Sequence, residues 1–436
     1  MVRISVFLSL AATLVAPLSA QRGTLDPAFE GIPFDQWFSE QDQAHFRWTV
    51  KVPHAELSFH QRLASSIDIK LDGQDLESRR SHGKLGLLIQ IKDVEGTRYQ
   101  EHGSIELSKL DPDVKAANID YSQRAFFVPG DYQLAVAIVD PATGEHSASQ
   151  LQFKVPAPAH GWLTDAWRDL PAVEYIGNDV SPESWYLPNI RGRLPWAAAV
   201  HSPARLNVIL NVAPSRRGSS DLGALLPSLK VISHSGSSAV SEHVALLDIS
   251  RRRSVFDQDE VHELDWPRLK ASLGEANTAS IDLHSLADRH EDAQFFVSQV
   301  RRLLRASADK PCVLVVLTKP VSFDSGEDRE PISLEALPPC HVFYLRYHAP
   351  QVRSFGPQMG GMGRRSRMGG GPGGGPMMSN QTQQENFDQL ESTLKPLSPK
   401  VIDVETPQQV TKALTEIEKS LEVTAEGPPD RDTSRR

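Results

Sequence analysis

A chain of 436 residues, 39% hydrophobic and 23% charged, is too long for one core and points to two or three domains. Its formal net charge of −9 excludes the strongly basic domain of a general nucleic-acid binder, and no stretch beyond residue 20 is long and apolar enough to span a bilayer.

The first residues carry a three-part pattern. Met1-Val2-Arg3 is a short basic start, residues 4–18 are apolar, and Leu18-Ser19-Ala20 is small before Gln21. This is the pattern of a secretory signal peptide over residues 1–20, cleaved after Ala20, and it places the mature chain in the periplasm or outside the cell. No cysteine sits there to carry a lipid, and no transmembrane helix is expected after cleavage. Residues 21–45 form an N-terminal segment weighted by Phe34, Trp37 and Phe38.

From Phe46 the grain changes to short alternating runs. Strands are expected over 47–52, 66–71 (Ile67, Ile69 and Leu71 on one face), 84–92, 99–107, 133–139 and 147–155. Turn signals separate them: Asp72-Gly73, residues 94–97, Pro129-Gly130-Asp131-Tyr132, and Asp140 to Gly144. That spacing implies an antiparallel β-sandwich over residues 46–155. The P-G-D-Y and D-P-A-T-G-E turns resemble the terminal hairpin of immunoglobulin-like and fibronectin-like domains, with Tyr132 placed like their tyrosine corner. The resemblance implies a fold and no particular function.

Residues 156–203 are proline-rich yet hold Trp162, Trp167, Trp185 and Trp196, four of the seven tryptophans. Flexible linkers are poor in aromatics, so this linker is expected to be ordered and packed.

From Arg205 strands and helices alternate. Residues 206–212 read as a buried strand running into the polar loop Asn211-Val212-Ala213-Pro214-Ser215. In α/β sheets, ligands bind at the carboxyl ends of strands where the strand order reverses, so this loop is the expected ligand position. Ser219-Ser220-Asp221 can cap a helix with Leu222, Leu225, Leu226 and Leu229 on one face, which Pro227 is expected to kink or shorten. A strand over 243–249 is broken by Arg251-Arg252-Arg253 and returns as an antiparallel partner over 254–256. A helix over 266–273 is expected to stop at Gly274. Residues 291–306 form a helix facing inward with Phe296, Val300, Leu303 and Leu304. Residues 312–317 are continuously apolar, as in a strand buried on both faces of a parallel sheet. Strands at 341–347 and 401–404 follow. Thr406 as N-cap, Pro407 at N1 and Gln409 at N3 begin a last helix that buries Val410, Leu414, Ile417 and Leu421.

Two segments lack the means to form a core: the Gly/Met-rich insert 354–386, with Arg364, Arg365 and Arg367, and the polar tail 425–436. Cys312 and Cys340 each open an apolar run and lack zinc-site spacing. Two readings stand for them: a disulfide between neighbouring strand starts, as an oxidising compartment permits, or two small buried hydrophobes.

The segments RLNVILNVAPS, VALLDIS with RRRSVF, CVLVVLTKP, CHVFYLRYH and VIDVETPQQVTKALTEI together resemble a von Willebrand factor type A domain. The resemblance covers residues 205–421, and the wider chain is similar to secreted type-A-related bacterial proteins. It implies a doubly wound, Rossmann-like α/β domain over residues 204–424. It also implies Mg²⁺ held by a D-x-S-x-S motif with a Thr and an Asp from later loops. The matching positions here are Asn211, Ala213 and Ser215, and the T-D-G position reads Thr318-Lys319-Pro320; Thr278 is the nearest candidate for the separate Thr. One carboxylate has become an amide and another a cation, so no cofactor is expected, with Mg²⁺ as the alternative. Asp324, Glu327 and Asp328 read as a surface loop. Lys319 beside Ser215 would suit an acidic side chain of a partner.

No G-x-S-x-G elbow, H-E-x-x-H pair or phosphate loop occurs. His54, His60, His284 and His290 read as surface residues. The expected function is an exported, non-catalytic interaction or adhesion-type module, metal-independent, whose partner is a protein or a cell-envelope component. The alternatives are a Mg²⁺-dependent adhesion domain and an unrecognised periplasmic hydrolase.

Overall fold

A computed structural model of the chain describes residues 25–38, 45–158, 163, 166–168, 170–176, 203–213, 222–233, 239–278, 290–321, 338–348 and 388–426. The expected signal peptide, the insert 354–386, three of the four linker tryptophans, Ser215, His284 and Asp324, Glu327 and Asp328 lie outside the described residues.

The elements run in the order α1 (Phe34–Trp37), β1 (Trp48–Lys51), β2 (Glu56–Leu57), β3 (Leu63–Asp72), α2 (Gly73–Ser78), β4 (Lys84–Lys92), β5 (Arg98–Glu106), β6 (Asn118–Phe127), β7 (Gly130–Val139), β8 (His146–Val155) and β9 (Val173–Tyr175). There follow β10 (Ala204–Asn211), α3 (Leu222–Ile232), β11 (Val240–Asp248), β12 (Arg253–Gln258), α4 (Trp266–Thr278), α5 (His290–Ala306), β13 (Cys312–Thr318), β14 (Cys340–Tyr347), α6 (Gln389–Leu394), β15 (Lys400–Val404) and α7 (Pro407–Glu426). The molecule is multidomain and β-rich, and it divides into two compact units that share the strands of residues 46–155 between them.

The first unit holds the antiparallel sheet β5-β4-β7-β8. Leu85, Leu87, Ile89 and Ile91 of β4 are fully buried, and so is Leu88 on the opposite face. That second face is covered by the N-terminal segment: Phe34 packs on Leu88, Ala135 and Ala137, with Phe29, Trp37 and Phe38 around it. Burying one such phenylalanine contributes about 2–3 kcal/mol, enough to hold a short segment in place. Two turn expectations are corrected here. Asp72-Gly73 is a helix start, because the Asp72 carboxylate accepts the N–H groups of Gln74 and Asp75 and caps α2. Glycine is required at 73, where a Cβ would collide with the carbonyls of Val114 and Ala117. Pro129-Gly130-Asp131-Tyr132 is not a free turn either, since β7 begins at Gly130; Tyr132 is buried and stacks on Phe153 with ring centroids 5.4 Å apart.

The second unit holds two sheets. One is antiparallel, in the order β1-β3-β6-β9 with β2 also on β3, and Ile67, Ile69 and Leu71 fill its inner face. The other is mixed and six-stranded, in the order β12-β11-β10-β13-β14-β15. All neighbours are parallel except β12, which pairs antiparallel with β11 at one edge. All seven residues of β13 are buried. Leu314 and Val316 meet Phe296, Val300, Leu303 and Leu304 of α5, while Val313, Val315 and Leu317, of opposite parity, are equally shielded. In α7, Val410, Leu414, Ile417 and Leu421 are buried, and the Gln409 Oε1 accepts the N–H of Thr406 at 2.7 Å, half of the expected capping box.

Three further expectations are corrected in this unit. Pro227 does not shorten α3, which continues past it to Ile232, because burial of Leu225, Leu226 and Leu229 outweighs the hydrogen bond that proline removes. Gly274 does not stop α4, which runs to Thr278; glycine costs a helix only about 1 kcal/mol. His60 is not a surface residue: its Nδ1 is shielded, and its ring meets Phe126 edge-on at 5.4 Å. Of the linker, Trp167 is buried and its indole N–H donates to the Gln61 carbonyl at 2.9 Å.

Candidate functional site at the carboxyl ends of the mixed sheet

From β10 the chain moves to β11 and β12 on one side, then returns to β13 on the other. The direction of winding therefore reverses between β10 and β13, and their carboxyl ends frame the crevice where open α/β sheets bind ligands. Asn211 is the last residue of β10 and Thr318 the last of β13.

The two side chains close that crevice on each other. The Asn211 amide donates to the Thr318 hydroxyl oxygen at 3.0 Å, and the Thr318 hydroxyl in turn donates to the Lys319 carbonyl at 3.0 Å. The Asn211 Oδ1 accepts the N–H of Ala213 at 3.1 Å and of Ile249 at 3.4 Å. One amide thus ties the ends of three neighbouring strands, with Asn211 only 9% exposed and Thr318 1%. A carboxylate at 211 has no hydrogen to give Thr318. Asparagine fits because the position needs a donor and an acceptor at once. Ala213 contributes only its backbone. Lys319 follows at the rim, half-buried, and Thr278 ends α4.

The carboxylates described near this edge are already engaged. Asp248, buried at the end of β11, accepts from the Ser250 hydroxyl at 2.8 Å and the Arg251 N–H at 3.2 Å, and pairs with the guanidinium groups of Arg251 and Arg253. Asp388 caps α6, accepts the Val321 N–H at 3.3 Å and takes the Tyr344 hydroxyl at 2.8 Å. Burial first, and the Asp388 charge second, push the Tyr344 phenol far above its ordinary range, so it stays a donor. Arg346 of β14 joins Glu391 at 2.8 Å and Asp403 at 2.6 Å, and His348 lies 2.7 Å from Asp403. The Arg346 contact holds the Asp403 carboxyl below the usual carboxylate range. Sequence reasoning missed this network. Its one signal was Asp388 standing before the Leu390/Leu394 face as an N-cap.

At the opposite, amino ends of the same strands, Cys312 and Cys340 stand directly across from each other with Cα atoms 4.7 Å apart, joined as a disulfide. Of the two readings open from sequence, the bridge is the one found. His54 is exposed, as expected, and the side chain of His290 lies outside the described residues.

No family model and no curated protein matches the chain. Solved structures similar to part of it include the chicken interferon gamma receptor alpha chain, at 9% identity and TM-score 0.18, with 25% of this chain and 50% of the receptor covered. A Northeast Structural Genomics Consortium target, SoR45, is similar at 17% identity and TM-score 0.18, with 27% of this chain and 89% of that one covered. The chain therefore spans half the length of the receptor it is compared with. Among the described residues no helix is long and apolar enough to cross a membrane.

Proposed function

We propose that this is an exported, non-catalytic interaction module of the von Willebrand factor type A kind, working at the carboxyl ends of the mixed sheet without a metal ion. Supporting the type A reading is the strand order 3-2-1-4-5-6 in chain numbering, with the third strand antiparallel at the edge, where the sequence resemblance placed the VALLDIS and RRRSVF pair. The observation that carries metal independence is the Asn211 amide. Its donor is given to Thr318 and its oxygen to two backbone N–H groups, where an adhesion-site carboxylate would turn its lone pairs to an ion. The lysine in place of the later Asp opposes a cation further. The partner is a protein or an envelope component that meets this rim in the periplasm or beyond the cell.

The test is the melting temperature of the mature chain from Gln21, with chelator and then with millimolar Mg²⁺, alongside recovery of a partner on immobilised wild-type and Lys319→Glu chains. Unchanged melting in Mg²⁺, with a partner held by the wild type and lost by Lys319→Glu, supports the reading. A Mg²⁺ shift of several degrees that Asn211→Ala removes would replace it with a metal-dependent adhesion domain.

A further inference from the structure

Away from the mixed sheet, the first unit brings three metal-binding side chains to one point. β5 is the outer strand of its sheet and carries Glu101 and His102 in succession. Consecutive strand residues leave on opposite faces, but at a sheet edge both can turn outward around the strand. Asp26 arrives from the N-terminal segment, and its Oδ2 lies 2.5 Å from the His102 Nδ1. One ligand atom from each of the three residues lies within 4.8 Å of the others.

The Asp26 carboxylate is held from behind. Its side chain is 10% exposed, and its Oδ1 accepts the Ala28 N–H at 2.9 Å. The Asp26 N–H donates to Gln100 Oε1 at 3.2 Å, and Gln100 is itself bound to the buried Gln90 at 2.8 Å. The segment is anchored a few residues on, where Phe29 meets Phe34 edge-on at 4.9 Å. One oxygen of Asp26 is thereby committed to the backbone while the other faces the cluster, the arrangement that outer hydrogen bonds give to metal ligands. Glu101 adds a second carboxylate.

We infer that Asp26, Glu101 and His102 bind a divalent transition ion of the Zn²⁺ class and clip the N-terminal segment to the outer strand. One imidazole nitrogen and two carboxylate oxygens suit a borderline ion, whereas Ca²⁺ and Mg²⁺ prefer oxygen alone. With ligands at about 2.0–2.2 Å, Asp26 and His102 need separate by only about 1 Å. Three protein ligands leave the fourth position to water. The site shares no residue with the Asn211 edge, so its test stands apart from that of the proposed function.

The test is calorimetric titration of tag-free, chelator-stripped full-length mature chain with ZnCl₂, and with CoCl₂ while the visible absorption of Co²⁺ is followed. The expected result is one ion per chain, a Co²⁺ band that saturates with it, and an affinity lowered at least about 10-fold in each of His102→Ala and Glu101→Gln. His262→Ala, an exposed histidine elsewhere, leaves the affinity as in the wild type. Circular dichroism checks that the variants fold. Absence of saturable binding, or either site variant binding as tightly as the wild type, overturns the site.

Discussion

Gln61 and Thr411 are 350 positions apart, and the Thr411 hydroxyl donates to the Gln61 side-chain oxygen across 2.6 Å. The Gln61 amide also donates to the Pro407 carbonyl at 3.0 Å, so one side chain grips the first turn of α7 by both of its groups. Gln61 is 0% exposed and sits at φ 55°, the left-handed region that a non-glycine residue enters at a cost of about 1 kcal/mol. Gln61→Ala is expected to destabilise by about 2–3 kcal/mol, because Thr411 and Pro407 lose buried partners. Gln61→Gly, which relieves the backbone cost, is expected to lose less than Gln61→Ala. Urea unfolding midpoints decide this, and Gln61→Gly proving the worse of the two would refute the account.

At the carboxyl ends of the mixed sheet, Asn211→Asp puts a carboxylate at the end of β10 but removes the donor to Thr318. The charge would be buried without a cation. A loss of about 1–3 kcal/mol is expected, read as a melting temperature several degrees lower. Millimolar Mg²⁺ should leave that deficit in place. Recovery of the wild-type melting temperature in Mg²⁺ would mean that the neighbouring loops already supply the remaining ligands.

His60 gives the molecule an acid-sensitive term. Burial first, then the charges of Lys230 and Arg62, lower its folded-state value from 6.5 to about 3. The unfolded chain therefore binds a proton that the folded chain refuses at any pH between those two values. Stability is unaffected by this group above pH 6.5, and falls as pH drops below 6.5 toward 3, by up to about 1.4 kcal/mol per pH unit. His60→Gln should flatten the stability profile between pH 6.5 and 5, above the range where most carboxylates titrate. An unchanged slope in that window would show that His60 is not its source.

The Cys312–Cys340 bridge closes a loop with a sequence separation of 28. Loop-closure entropy for that length corresponds to about 3–4 kcal/mol. Reduction, or the Cys312→Ala/Cys340→Ala pair, should lower the denaturation midpoint accordingly. Mass spectrometry of alkylated, unreduced protein should find no labelled cysteine; labelling of both would remove the bridge from the account.

How much of this was legible in the sequence depended on the range of the cause. β13 was plain because six successive apolar residues, 312–317, admit few environments other than the middle of a covered parallel sheet. The start of α7 was plain because Thr406, Pro407 and Gln409 settle it among themselves. β6 was missed because Asn118–Phe127 mixes polar residues into both parities, and its pairing with β9 is set from far along the chain. Asp72-Gly73 misled because Asp-Gly serves turns and helix starts alike; the carbonyls of Val114 and Ala117 that demand the glycine lie forty residues on. At the candidate site, an amide in place of a carboxylate at the strand end could be read from Asn211, but not what the amide does, since Thr318 and Ile249 become its neighbours only when the sheet closes. Asp26 with His102, 76 positions apart, gave no periodic signal at all.

The two outer strands of the mixed sheet bear on how the molecule keeps to itself in a crowded compartment. β12 offers Arg253 and Asp257, and β15 offers Lys400 and Asp403, with Lys400 turned to Glu416 on α7 at 2.5 Å and Asp403 to Arg346. Charged, laterally braced borders of this kind resist the addition of a foreign strand, the first step of runaway polymerisation. Unfolded chains are met wherever proteins are made, and this sheet is bordered so that strand-by-strand capture of them is disfavoured.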